Sequence, residues 1–165
     1  MSFDNDDNIV LSDTLNHRVQ TYSKDGEFIT QFGEFGDGKG QLNMPWGVAV
    51  DDEGDVYVAD WGNDRVQLFD SKGRFVEQFL GDANLSRSAR EYILANPVTL
   101  RLREMADLEA TKRLRAPLTV RVDDESRLYI TDFGSHRIQI YKKEAYPLNE
   151  QEIASPLRNP VLFTT

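Results

Sequence analysis

The chain has 165 residues, 39% of them hydrophobic and 28% charged, the composition of a globular protein with a single ordinary core, so disorder is set aside. Its net charge of -9 and pI near 4.7 oppose binding to polyphosphate or to an anionic membrane, which Lys and Arg drive through counterion release; nucleic acid and membrane are therefore not expected partners. With no cysteine there is no disulfide framework and no thiolate metal site, and with no span-length apolar run and no signal-peptide pattern the expected location is cytoplasmic.

In chain order, NHRVQTYSKDGEFITQFG at 16–33 returns as NDRVQLFDSKGRFVEQFLG at 63–81 and, shortened, as SHRIQIYKKEA at 135–145. The second unit follows the first by 47 residues (Asp60 against Asp13, Arg65 against Arg18) and the third follows the second by 72 (Asp132 against Asp60), an excess of 25. A period in the forties built from strand-like runs predicts an all-β propeller with one blade of four short antiparallel strands per unit. In the second unit PWGVAVDDEG gives strand a and its acidic turn, DVYVAD strand b, RVQLF strand c, and RFVEQF strand d after the turn Ser71-Lys72-Gly73. The third unit offers PLTVRVDDES, RLYITD and RIQIY, whereas Pro147 and the polar NEQE weaken its strand d.

The excess residues form an insertion at 82–115 that reads as two helices. Leu85, Ala89 and Ile93 fall at helical spacing, and Asn96-Pro97 starts a second helix with Val98, Leu102 and Met105 on one face. Seven Lys or Arg against five Asp or Glu make this segment a basic island on an acidic body. At the far end LRNPVLFTT at 157–165 aligns with LNMPWGVAV and LRAPLTVRV, with Pro160, Pro45 and Pro117 in register. The expected division is a first blade at about 3–33 completed by a strand at 157–165, a second at about 45–81, the insertion, and a third at about 116–153. Three blades fall below the usual four to eight, so a homodimer that exchanges these end strands and closes a six-bladed ring is expected; the other account is a piece of a longer propeller.

Asp13, Asp60 and Asp132 end strand b, and Arg18, Arg65 and Arg137 open strand c five residues later, spaced for a bidentate pair that pins the turn. Recurrence in every unit marks this pair as structural, since a catalytic group is needed once. His17 and His136 share one repeat position and read as turn residues, so no metal site, no cofactor and no catalytic residue is expected. The acidic turns at 4–8, 51–55 and 123–126 lack the spacing and closing Glu of an EF-hand and read as solvated a–b turns.

These residues resemble the NHL repeat family of β-propellers. The family's Asn-His-Leu signature falls on Asn16-His17-Arg18, Asn63-Asp64-Arg65 and Ser135-His136-Arg137, and the wider pattern Asp-x-x-[Asn/Ser]-x-Arg-[Val/Ile]-Gln occurs three times. The linker GEFGDGKGQLNMPWGVAVD also looks like the stretch that joins NHL blades. In such a propeller the insertion shares one end of the ring with the b–c turns, which makes Trp61, Asn63, Phe133, His136, Arg101 and Arg103 candidates for a ligand face. The expected function is a non-enzymatic binding or scaffold protein that presents this end to a protein, peptide or small ligand. Two alternatives stand beside it. The helices cap the ring with Trp61 and Phe133 packed beneath them, or the chain is a metal-dependent hydrolase or lyase, similar to gluconolactonase-like propellers, that uses the central channel.

Overall fold

Short runs of β-branched and aromatic residues, punctuated by Asp and Gly turns, favour antiparallel strands over helix. The computed structural model describes residues 1–83, 87–98, 101 and 108–143, and it has three antiparallel sheets in chain order. The first comprises β1 (Ser2–Phe3), β2 (Ile9–Asp13), β3 (Arg18–Tyr22) and β4 (Phe28–Phe32). The second comprises β5 (Pro45–Val50), β6 (Val56–Asp60), β7 (Arg65–Phe69) and β8 (Phe75–Phe79). The third comprises β9 (Pro117–Val122), β10 (Arg127–Asp132) and β11 (Arg137–Lys142). The residues expected to form its fourth strand, and the tail at 157–165, lie outside the described residues.

The sheets repeat one register. Asp13 pairs with Arg18, Asp60 with Arg65 and Asp132 with Arg137 across the b–c turn. The first unit has a short strand a of its own, in which Ser2 opposes Val10 and Phe3 opposes Ile9, matching the Ala49–Tyr57 and Val50–Val56 rungs of the second unit.

Two cores lie between the three sheets. Val10 and Val19 of the first sheet pack with Val56, Val58 and Phe69 of the second, while Tyr57, Val66 and Leu68 pack from its other side with Leu128, Ile130 and Tyr141 of the third. Every residue of β6 and β7 is buried. Burying one Val, Leu or Phe side chain contributes roughly 1.5–3 kcal/mol, so the second sheet, covered on both faces, is the best anchored of the three.

Between β8 and β9 the chain forms helices Arg87–Ala95 and Leu108–Lys112. Leu85, Leu102 and Met105 lie outside the described residues. The two ends of this excursion close on each other: Leu114 N–H donates to Leu80 O (2.9 Å) and Ala83 N–H to Lys112 O (3.3 Å). Gly81 makes the closure possible, because its φ is +96° and a Cβ there would run into the backbone of Lys112, Arg113 and Leu114. The chain just after β8 is thus bonded to the chain just before β9. Among the described residues no helix is long and apolar enough to cross a membrane.

Candidate functional site

The end of the molecule that carries the b–c turns is built by one repeated polar network. Each strand b ends in Asp, followed by a three-residue 3-10 turn, a left-handed residue (His17, Asp64 or His136, φ 52° to 55°) and then the Arg that opens strand c. In the second unit Asp60 Oδ2 accepts from Arg65 Nε (2.7 Å), Asn63 Nδ2 (2.8 Å) and Gln67 Nε2 (3.2 Å), and Oδ1 accepts from Asn43 N–H (2.6 Å). The Arg65–Asp60 contact is made through Nε alone, not through two parallel bonds. The outer guanidinium nitrogens turn instead to the preceding linker and donate to the carbonyls of Asp37, Gly38 and Gln41 at 2.7, 2.9 and 2.8 Å. Backbone carbonyls drawn down onto the sheet lose water and need donors, and a five-donor fork supplies three of them while its charge stays paired with Asp60.

The third unit repeats this. Arg137 Nε donates to Asp132 (2.7 Å), and its outer nitrogens donate to the carbonyls of Thr111, Lys112 and Arg113 at 2.7, 3.1 and 2.7 Å. Asp132 also accepts Arg115 N–H (2.7 Å) and Gln139 Nε2 (3.1 Å). In the first unit Arg18 Nε donates to Asp13 (2.9 Å), holding that carboxyl below its ordinary range, and Nη1 donates to Gln31 (2.9 Å).

The left-handed residue links neighbouring units. His17 Nδ1 accepts Met44 N–H (3.0 Å) and Asp64 Oδ1 accepts Ala116 N–H (2.7 Å), the residue before strand a of the next unit in each case. A ring nitrogen that accepts carries no proton, so neutral His17 holds its proton on Nε2. The sequence pattern did not announce this latch, because His and Asp perform the same acceptor role at one position.

Of the ligand-face candidates, Phe133, His136 and Arg101 are exposed, and Phe133 lies edge-on to His136 at 6.3 Å. Trp61 and Asn63 are half-buried; the Asn63 amide is committed to Gly36 O (2.9 Å) and Asp60, which makes it part of the frame. Arg103 lies outside the described residues. Three apolar side chains that sequence reasoning passed over, Leu15, Phe35 and Trp46, are more than half exposed. Leu15 is in the first b–c turn, Phe35 packs on His17 (4.7 Å), and the carbonyls of Pro45 and Trp46 accept from Thr14 and Ser12. Leu15 had a legible signal: it stands where the other units have Gly62 and Gly134, whose missing Cβ atoms leave room for Asn43 and Arg115.

The opposite end carries the a–b turns, each closed by its leading Asp. Asp51 Oδ1 accepts the N–H groups of Glu53 and Asp55, and Asp123 Oδ1 those of Glu125 and Arg127. The second turn is not the simply solvated feature expected from sequence. Asp51 is buried and accepts Tyr57 OH (3.2 Å), and Lys143 Nζ stands 3.1, 2.6 and 3.1 Å from Asp51, Glu53 and Asp55. Among the described residues these three carboxylates are the group whose oxygens converge closely enough for a metal ion, and the ammonium occupies that place. Desolvation opposes the charge on Lys143, but the bonds to its carboxylates outweigh it and push its pKa well up.

Residues 42–69 match the NHL repeat family. The chain is 46% identical over 41 residues to RING finger protein nhl-1 of Caenorhabditis elegans and 50% identical over 42 residues to Protein brain tumor of Drosophila melanogaster. These matches cover 25% and 26% of this chain, and the chain spans only 4% of either relative. Among solved structures, a streptogramin B lyase is similar with a TM-score of 0.53 at 16% identity, over 87% of this chain and 38% of that one. A structural genomics protein of unknown function from Bacteroides thetaiotaomicron gives 0.53 at 18% identity, over 81% and 32%. Identities this low carry the β-propeller-like fold and nothing of the chemistry.

Proposed function

We propose that this chain, which carries an NHL repeat within a propeller-like array of sheets, is a non-enzymatic binding scaffold whose b–c turn end holds a protein or peptide. Each sheet is one blade, and the segment between β8 and β9 is an insertion displayed at that same end, since Arg137 grips its last carbonyls. The observation that carries the reading is the pairing of exposed apolar side chains with fixed backbone. Leu15, Phe35 and Phe133 stand in solvent on turns and linkers held by the Asp, Arg and His bonds described above. Anchors already held in place cost little ordering entropy on binding, which is how rigid turns become recognition surfaces. The polar groups that could serve chemistry are engaged elsewhere: Asp60, Asp132, Arg65 and Arg137 in the linker grips, His17 in the latch.

Peptides selected from a displayed library on the immobilised chain test this. Leu15→Ala or Phe133→Ala is expected to weaken the selected peptides about tenfold, the effect of losing one anchor of about 1.4 kcal/mol, while Asp124→Ala at the opposite end leaves affinity unchanged. Peptides that respond to Asp124 and ignore Leu15 and Phe133 would place the binding surface on the acidic turns and refute the reading.

A further inference from the structure

Among the described residues the two outer sheets each leave one face open, and the two faces are counterparts. Inside the array, one side of each sheet packs against the opposite side of the next. Val19 of the first sheet meets the core that contains Val58 of the second, and Val66 of the second meets the core that contains Ile130 of the third. All four are fully buried. Continued by the same repeat shifts, the next pair is Ile138 on the outer face of the third sheet and Leu11 on the outer face of the first. Ile138 and Ile140 are 62% and 38% exposed, although their counterparts Val66 and Leu68 are at 0% and 6%. On the first sheet Phe28 is exposed, and Ile9, Leu11 and Tyr22 are only half-buried.

The polar parts of the two faces correspond as well. Arg18 and Gln20 repeat Arg65 and Gln67, which grip linker backbone from the side of the preceding unit. Among the described residues Arg18 donates only to Asp13 and Gln31, so the part of its fork that takes linker carbonyls in the other units is open.

We propose that the outer face of the third sheet, around Ile138 and Ile140, docks on the outer face of the first sheet, around Leu11 and Arg18, of a second copy of this chain, and that two copies close a ring of six units. The occupant follows from the two interfaces already present, because an open face bearing the residues of a buried one is completed by the surface that buries its counterpart. The number of copies follows from closure. A head-to-tail contact repeated with constant rotation forms a ring only at a particular count, and propellers close with about four to eight blades. One copy falls short of that range and three copies exceed it.

The test is light scattering on the full chain, with circular dichroism as the check on folding; Ile138 is largely exposed and Leu11 half-buried, so each protomer keeps its own cores. The wild-type chain is expected at twice its 18.9 kDa mass. Ile138→Asp and Leu11→Asp should each be monomeric, since either one spoils both contacts of a two-copy ring. An equimolar mixture of the two variants should recover dimer, because the third sheet of the Leu11 variant and the first sheet of the Ile138 variant are both intact. A wild-type monomer would overturn the ring. Variants that remain dimeric, or a mixture that stays monomeric, would overturn the assignment of these faces while leaving the binding role of the turn end untouched.

Discussion

The first and second units carry the same Asp–Arg pair at the same spacing, yet in the second it is sealed, with 0% and 7% of the side chains exposed, and in the first it is open, with 22% and 32%. The difference lies in what lies over them. The linker at 36–43 runs across Asp60 and Arg65 and places three carbonyls and one N–H on them, whereas among the described residues Asp13 and Arg18 bond only within their own unit, to each other, Asn16 and Gln31. A motif that looks local in sequence is therefore two different interactions in energy. In the sealed unit it is a buried hub, where removing one member strands the rest; in the open unit it is a surface pair that water can replace.

The largest effect expected is that of Asp60→Ala. It leaves a buried guanidinium without its counter-charge and Asn43 N–H without an acceptor, and should cost about 3–5 kcal/mol in urea unfolding. Asp13→Ala, measured in the same way in the monomeric Ile138→Asp background, should cost under about 1 kcal/mol because solvent screens the pair in a single copy. Equal losses in the two variants would break the comparison and reduce the linker to a passive cover.

The smallest effect is the acid response of Asp123, another surface carboxylate with purely local partners. Partial desolvation works to raise its pKa, but the Arg127 N–H and guanidinium, the Tyr129 hydroxyl and the Glu125 N–H bring it down to about 2 from 3.8. A carboxyl depressed on folding adds stability above its unfolded value and loses it as the folded value is approached from above. The urea midpoint should therefore drop as pH falls from 3.8 towards about 2, and Asp123→Asn should flatten that part of the curve. A variant whose acid profile matches the wild type would remove this turn from the set of local clasps.

Much of the strand frame is legible in the sequence because its signals are local. RVQLF and RIQIY alternate with period two and PWGVAV is a short apolar run that ends in an acidic turn, so β7, β11 and β5 fall where the pattern puts them. The five-residue separation of Asp and Arg likewise spans one tight turn. What the sequence could not convey is the target of the remaining donors. Nothing near Arg65 in the chain says that its fork will cap Gln41 O, and nothing near Lys143 points to Asp51, 92 residues away. Those bonds depend on how the chain returns over itself. The left-handed latch at His17 and Asp64 was hidden for a different reason: chemically unlike side chains meet one geometric requirement, so residue type conceals the role. The short β1 was hard to see because two residues carry no period.

The direction of the linker grips has a consequence for synthesis. Arg65 and Arg137 both reach towards the N-terminus, to carbonyls between 24 and 28 residues earlier in the chain. A nascent chain leaving the ribosome has therefore already exposed every carbonyl that a unit's Arg must cap before that Arg emerges, and the grip on the linker waits for nothing downstream. Contacts this short in sequence favour fast closure, so the second and third units can settle in order as they appear, each on backbone already in place.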